Sequence, residues 1–403
     1  MSGPLRDVRV IDLTSVVLGP YATQILADFG ADVIKVETAD GDVLRHVGVA
    51  RHPGMGSNFL HMNRNKRSIV LDLKQPAGRD ALLRLVETAD VLVYNMRPQA
   101  MARLGLRYAD CAAVNPRLLY VGAFGYGQDG PYAEKPAYDD LVQGAAGISR
   151  LLEASGATEP RYAPLTLCDH VVGLNTANVV MAALYHRERS GEGQSIDVPM
   201  FETMAEFVLG DHMGGRTFDP PAGPTGYTRV LSRDRRPYRT QDGYVAVLVY
   251  NDKQWQSFFR LIGREDLTAD PRFSSHTSRA HHIDEVYAFV AETILGRTTA
   301  AWLEGFAQAD IPAMPVYTPD ELINDPHLAA VGFFREVEHP TEGRIRMMRT
   351  PSRWTESQPA YRHHAPVLGQ HTAEVLREHG YADADIDAML ATGAARAAAP
   401  LAR

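Results

Sequence analysis

Short apolar, β-branched runs alternate with helical patterns over the first 125 residues, and this alternation constrains the fold more than any other feature. Residues 8–13 (VRVIDL) read as a buried strand. Gly19-Pro20 then precedes a helical pattern over 21–29, Gly30 closes it, and 33–36 (VIKV) form the next strand, ending at Glu37. Further strands are expected in SIVLDL (68–73), VLVY (91–94) and LLYVGA (118–123), with helical spacing over 81–89 and a loop-to-helix passage from Asn95. Strand–helix–strand units imply a parallel sheet, so the expectation is an α/β fold with a large Rossmann-like domain.

The first unit resembles half of a dinucleotide fold, with an acid closing its second strand. Its turn reads LTSVVLGP and lacks GxGxxG, which weakens a nicotinamide reading. The topology still offers a ligand site at the C-terminal ends of the strands.

A chain of 403 residues exceeds one small core and suggests two or three domains. The net charge of -8 argues against nucleic-acid binding but allows a local basic pocket. Two cysteines, Cys111 and Cys168, give no disulfide framework, so a cytoplasmic location is expected. No signal peptide is recognised in MSGPLRDVRVIDL, and no membrane span is expected. The texture changes after residue 205. A Gly- and Pro-rich linker is expected over 206–224, and a smaller α+β domain over 225–320, with a hairpin turning at Asp242-Gly243. A return to the large domain follows over 321–390, then an Ala-rich tail over 391–403 that is expected to fray.

Asp169 stands where an irregular segment becomes a long helix. Residues 171–184 are apolar on nearly every side, which predicts a buried helix, and Gly191 marks its C-terminal end. Two readings are open. Asp is a preferred N-cap residue. A carboxylate held in a cleft at a helix N-terminus can also act as a nucleophile. Cys168 beside it has no local His base and reads as a small buried residue.

The stretch 63–74 (NRNKRSIVLDLK) carries Arg64, Lys66, Arg67 and Lys74. It is either a solvated turn before an edge strand or a basic patch for phosphates. The loop GYGQDG at 125–130 leads to Tyr138 and Asp139, which suit a pocket wall. The histidines cluster at 276/281/282 and 363/364 without a metal-ligand pattern, so no metal is expected.

Several stretches resemble the class III coenzyme A transferases, the family of formyl-CoA transferase and carnitine CoA-transferase. They are LTSVVLGPYATQILADFGADVIKVE, NRNKRSIVLDLK, GYGQDGPY, AYDDLVQ, LCDHVVG, GEGQSIDV, IPAMPVYTPDELINDPHL and APVLGQHTAEVL, in the family's order over residues 5 to 385. The resemblance implies a CoA-transferase that moves CoA from an acyl-CoA, for instance succinyl-CoA, to a small carboxylic acid. Asp169 matches the family's nucleophile, which forms an acyl-aspartyl anhydride. Leu71, Lys74, Asn95, Arg103 and Tyr138 match positions lining the CoA site, and Arg64 and Arg67 are assigned phosphate roles. CoA is substrate, and no tightly bound cofactor is implied. The resemblance also implies a homodimer of interlinked ring-shaped subunits, with a large domain built from both ends of the chain.

The chain departs from the formyl-CoA transferase pattern at three places. Val17 stands for its active-site Gln, Thr38 for the Arg after the second strand's Glu, and its run of glycines before the small domain is absent. Oxalate is therefore disfavoured as acceptor. A 2-methylacyl-CoA racemase is the rival within the superfamily, but Tyr138 occupies the position of the racemases' His. A non-catalytic CoA-binding protein is the rival of another class.

Overall fold

The computed structural model describes residues 3–398. Among them are twelve strands: β1 (Arg9–Leu13), β2 (Asp32–Glu37), β3 (Lys66–Leu71), β4 (Val91–Tyr94), β5 (Leu119–Phe124), β6 (Gln194–Pro199), β7 (Tyr238–Arg239), β8 (Tyr244–Val247), β9 (Ala313–Pro315), β10 (Phe334–His339), β11 (Gly343–Met348) and β12 (Ala395–Arg396). The chain divides into two units. One takes the residues up to Ala146, Ala163–Glu206 and the stretch from Ala329 onward; the other takes Gly147–Tyr162 and Phe207–Leu328.

The first unit is built on a seven-stranded sheet in the order β12-β3-β2-β1-β4-β5-β6. β1 to β6 are parallel, with Val10 level with Val33 on one side and Val91 on the other. The apolar runs read in the sequence are these strands, and they are apolar throughout because both faces are covered. The order reverses between β1 and β4. Such a switch point opens a crevice at the carboxyl ends of the strands, where open α/β sheets bind ligands. A separate antiparallel hairpin pairs β10 with β11.

The expected frayed tail is corrected in part. A helix over Asp383–Thr392 continues into it, and β12 pairs antiparallel with β3, with Ala394 and Ala395 buried in the main core. Residues 399–403 of that expectation lie outside the described residues. β3 is thus covered on its outer side rather than left as the edge.

Three helices position the crevice: α1 (Leu18–Asp28), α2 (Asp139–Ala145) and α3 (Leu167–Ser190). The long helix α3 packs closely on α1. A Cβ added at Gly173 would lie 2.8 Å from the carbonyl oxygen of Leu18, so only glycine allows this approach. Val172, Gly173, Thr176, Ala177, Val180 and Ala183 form its buried face. The expectation of a helix buried all round is corrected: Leu174 and Tyr185 are 48% and 65% exposed. One chain covers only one side of α3. By length and composition α3 is apolar enough to cross a membrane, yet half of its most apolar window is packed inside the protein, as in a core helix.

The second unit holds the sheet β7-β8-β9, antiparallel throughout. Its core gathers Trp255, Phe258, Phe259, Phe273, Trp302 and Phe306. Helices at Asp252–Ile262, Ile283–Ile294 and Thr299–Gln308 supply the α part of the α+β domain expected here. The unit is longer than the 225–320 expected, and the helix Met200–His212 runs into the stretch expected to be linker.

Candidate active site

The crevice at the switch point is a cleft of about 320 Å³. Ser15 and Val16 follow β1, Asn95 and Arg97 follow β4, Gly125 follows β5 and Met200 follows β6; Lys135, Tyr138 and Asp169 complete the lining. Each strand delivers its loop to the same edge because the strands run parallel.

Asp169 occupies the first turn of α3, three residues after the capping position at Thr166, and is 8% exposed. It is therefore not the N-cap. Its backbone N–H donates to Asp139 Oδ1 at 3.0 Å, while Gln143 Nε2 donates to Asp139 Oδ2 at 2.6 Å. Gln143 also accepts from Ala163 N–H at 2.8 Å and donates to the Leu165 carbonyl at 3.2 Å. Asp139 and Gln143 on α2 thus fix both the start of α3 and the segment leading into it.

The Asp169 carboxylate has no hydrogen bond or ion pair among the described residues. Burial raises its pKa, and the charges of Asp139 and Asp140 raise it further, to about 7. The group is poised at neutral pH between a proton donor and a nucleophilic carboxylate. Cys168 is fully buried, and burial pushes its thiol up to about 12, so it is no competing nucleophile.

The loop after β1 is held from two sides. Asn95 clamps Ser15, donating to its carbonyl at 2.7 Å and accepting from its N–H at 3.0 Å. Val16 has a φ of 68°, a left-handed conformation that β-branched residues rarely adopt. Its N–H donates to Asp42 Oδ1 at 3.0 Å, and Asp42 is paired with the fully buried Lys35 at 2.8 Å. Lys35 donates to the Thr14 carbonyl as well, at 2.8 Å. Burial disfavours the charge of Lys35, but Asp12, Asp42 and Glu37 outweigh it and hold its pKa above the usual value. The loop between β5 and α2 folds back on itself at Gly125, where a Cβ would fall 2.2 Å from that of Ala137. That closure brings Lys135 and Tyr138 to the cleft.

Of the residues expected from the sequence, Asn95, Tyr138 and Asp169 come together here. Tyr138 is 68% exposed at the rim. Leu71 does not join them: it is 1% exposed in the main core, since β3 is buried on both faces. Lys74 and Arg103 are exposed after β3 and β4, on the cleft's edge of the sheet but outside its lining. The phosphate roles expected for Arg64 and Arg67 are corrected. Arg64 is buried and grips Asp28 with two hydrogen bonds of 3.1 and 2.7 Å. Arg67 is engaged by Asp32, Glu374 and Glu378. Both flank the start of β3, the edge of the sheet opposite the cleft. Lys66 is likewise buried against Asp12 at 3.0 Å.

Sequence reasoning placed Arg97 in the loop-to-helix passage after 91–94 but assigned neither Arg97 nor Lys135 to the site. Neither has a carboxylate partner among the described residues; Lys135 lies 3.7 Å over the Tyr132 ring, and Arg97 donates to the Glu134 carbonyl at 3.3 Å. The only signal was their presence in loops after strand ends. Val17 is buried with Leu44, Phe59 and Ala365, so the cleft meets Val16 instead.

The family model described as CoA-transferase family III matches residues 5–372. Among curated relatives, the succinate–glutarate CoA-transferase of Agrobacterium fabrum is 33% identical, covering 93% of this chain and 95% of its own. The succinyl-CoA–D-citramalate CoA-transferase of Chloroflexus aurantiacus is 31% identical, over 93% of this chain and 94% of its own. The crystal structure of Rv3272 from Mycobacterium tuberculosis has a TM-score of 0.79 at 30% identity, covering 92% of this chain and 99% of that one. The chain belongs to CoA-transferase family III and is a class III CoA-transferase.

Proposed function

We propose that the protein transfers CoA from succinyl-CoA to a second small carboxylic acid through covalent intermediates on Asp169. The observation carrying this reading is the unpaired, buried Asp169 carboxylate facing a cleft that also holds two cations, Arg97 and Lys135, with no carboxylate partner among the described residues. The carboxylate attacks the thioester carbonyl and expels CoA thiolate, leaving an acyl-aspartyl anhydride. The thiolate then attacks the aspartyl carbonyl, releasing the donor acid and forming an aspartyl-CoA thioester. The acceptor carboxylate displaces CoA to give a new anhydride, and CoA thiolate attacks its acyl carbonyl. The new acyl-CoA leaves and Asp169 is regenerated. Each step exchanges one activated carboxyl for another, which is the use of covalent catalysis.

Arg97 and Lys135 supply positive charge for CoA phosphates or a substrate carboxylate. Asn95, Tyr138, Lys74 and Arg103 remain proposed CoA contacts along the same edge of the sheet. A dicarboxylate substrate is supported by the names of the two relatives above, and Val17 in place of the formyl-CoA transferase Gln disfavours oxalate itself. A homodimer and a cytoplasmic location are part of the same proposal, the latter supported by two buried free thiols.

The test is incubation with succinyl-CoA and a panel of mass-tagged acids, reading new acyl-CoA by mass spectrometry, with Asp169→Ala in parallel. New thioester lost in the variant is the expected result. Unchanged exchange in the variant would overturn the role of Asp169. The pKa of about 7 also suits an acid–base residue. Exchange of the α-proton of a 2-methylacyl-CoA with deuterated water, without CoA transfer, would establish the racemase reading instead.

A further inference from the structure

Away from the cleft, the geometry points to a second anion site, one that takes a small phosphate-class dianion. A cavity of about 240 Å³ lies between the β10–β11 hairpin and the segment that follows it. Arg335, Arg349, Arg353, Thr350, Gln358 and Tyr361 line it, and no carboxylate does. Among the described residues none of the three guanidinium groups has an ion pair or a hydrogen-bond partner. Arg335 and Arg353 reach solvent, whereas Arg349 is half-buried; the buried arginines Arg45, Arg64, Arg187 and Arg279 are all paired. The Nε of Arg349 is buried with no acceptor. A buried N–H donor on a cation without a partner is costly unless a ligand supplies one.

The acid that Thr350 contacts is not available to these arginines. Asp28 accepts from Thr350 at 3.2 Å, but also from Gln24 at 2.5 Å, twice from Arg64, and from Asn65 at 2.7 Å. The cavity therefore keeps three positive charges with nothing to balance them. Guanidinium forks match the oxygens of phosphate in pairs, and three of them favour a dianion over a monoanion. Thr350 donates to Asp28, and the Gln358 amide donates to the carbonyls of Ser352 and Pro359, so the guanidinium groups are the donors the cavity offers an anion. The site adjoins the C-terminal end of α1, whose first residue, Leu18, lines the catalytic cleft.

Trp354 reports on this cavity. Its backbone N–H donates to the lining residue Gln358 at 2.7 Å, and its ring lies 5.6 Å from Phe29. It is 40% exposed, whereas Trp255 and Trp302 are 4% and 1% exposed in the other unit. The experiment is a titration of the full chain with inorganic phosphate, followed by tryptophan emission, with chloride at matched ionic strength as control. The expected result is a saturable change with phosphate alone, lost in Trp354→Phe. Its midpoint should rise at least tenfold in Arg349→Gln and in the exposed-site variant Arg353→Gln, each checked for folding by circular dichroism. The response should persist in a variant carrying Arg97→Ala and Lys135→Ala, which separates it from the catalytic cleft. No saturable change, a response untouched by Arg349→Gln and Arg353→Gln, or one abolished by the cleft variant would overturn the site. Tighter saturation by succinate than by phosphate would overturn its assignment to a phosphate-class ligand.

Discussion

Asp169 combines two demands that oppose each other. Burial and two neighbouring acids make its carboxylate a poorly solvated nucleophile, and the same surroundings favour its protonated form. Below about pH 7 the reactive fraction should fall about tenfold per pH unit, and above it the rate should level off. The burst of CoA release on mixing with acyl-CoA, measured against pH, checks this. Stability carries the opposite sign. Between the ordinary value of 3.8 and about 7 the folded protein holds a proton that the unfolded chain has released. Asp169 therefore lowers stability as pH rises through that window, and the loss is complete above it. Asp169→Asn should abolish transfer yet stabilise the fold by about 1–3 kcal/mol at pH 8 and by nothing near pH 3.5. Urea denaturation at the two pH values measures the difference. The sequence exposed Asp169 because the change from irregular chain to apolar helix is a local pattern. It could not expose Arg97 and Lys135, whose role depends on two loops meeting across the sheet. It also misassigned Arg64 and Arg67, because a basic run looks alike whether its charges are free or matched by distant acids such as Asp28 and Asp32.

At the scale of elements, the loop after β1 depends on a buried pair. Lys35 and Asp42 are both out of water, and each fixes a backbone group of that loop. Breaking a buried pair costs about 3–5 kcal/mol where it leaves a charge uncompensated, and less at Lys35, which keeps Asp12 and Glu37 beside it. Asp42→Ala should destabilise the protein by about 1–3 kcal/mol, by urea denaturation, and lower kcat/KM about tenfold or more, since a small misplacement of the cleft wall is amplified in the rate. Val16→Gly separates strain from support. The left-handed backbone at Val16 costs about 1 kcal/mol or more, which glycine avoids. The variant should denature at the same or higher urea concentration while its KM for acyl-CoA rises as the cleft wall loosens. The parallel strands were legible because strands covered on both faces are apolar throughout and each is followed by a helix pattern. β12 was not: Ala395 and Arg396 have no strand propensity, and their pairing with β3 is a purely tertiary event. β11 was missed for a related reason, since its exposed arginines alternate with its apolar residues and masked them as a charged loop.

For the whole molecule, the side of α3 turned away from α1 carries the remaining argument. Leu174, Asn178, Ala182 and Tyr185 follow at spacings that place them on one face, and all are exposed in the single chain. Leu141 and Leu165, which belong to the same unit, are 51% and 70% exposed. The longest helix among the described residues is thus left half uncovered. A second copy is the cover that the proposed homodimer provides, and light scattering should return about twice the monomer mass of 44.4 kDa. Interlinked rings make a sharper demand than ordinary association. Two linked chains cannot separate while folded, so dilution to nanomolar concentration should leave the dimer intact. Loss of the dimer mass on denaturant titration should coincide with loss of helical signal. A dimer that dissociates reversibly on dilution while its circular dichroism stays native would refute the linked topology and leave ordinary face-to-face packing of α3. A monomer at all concentrations would mean that this face is covered by something other than a second copy.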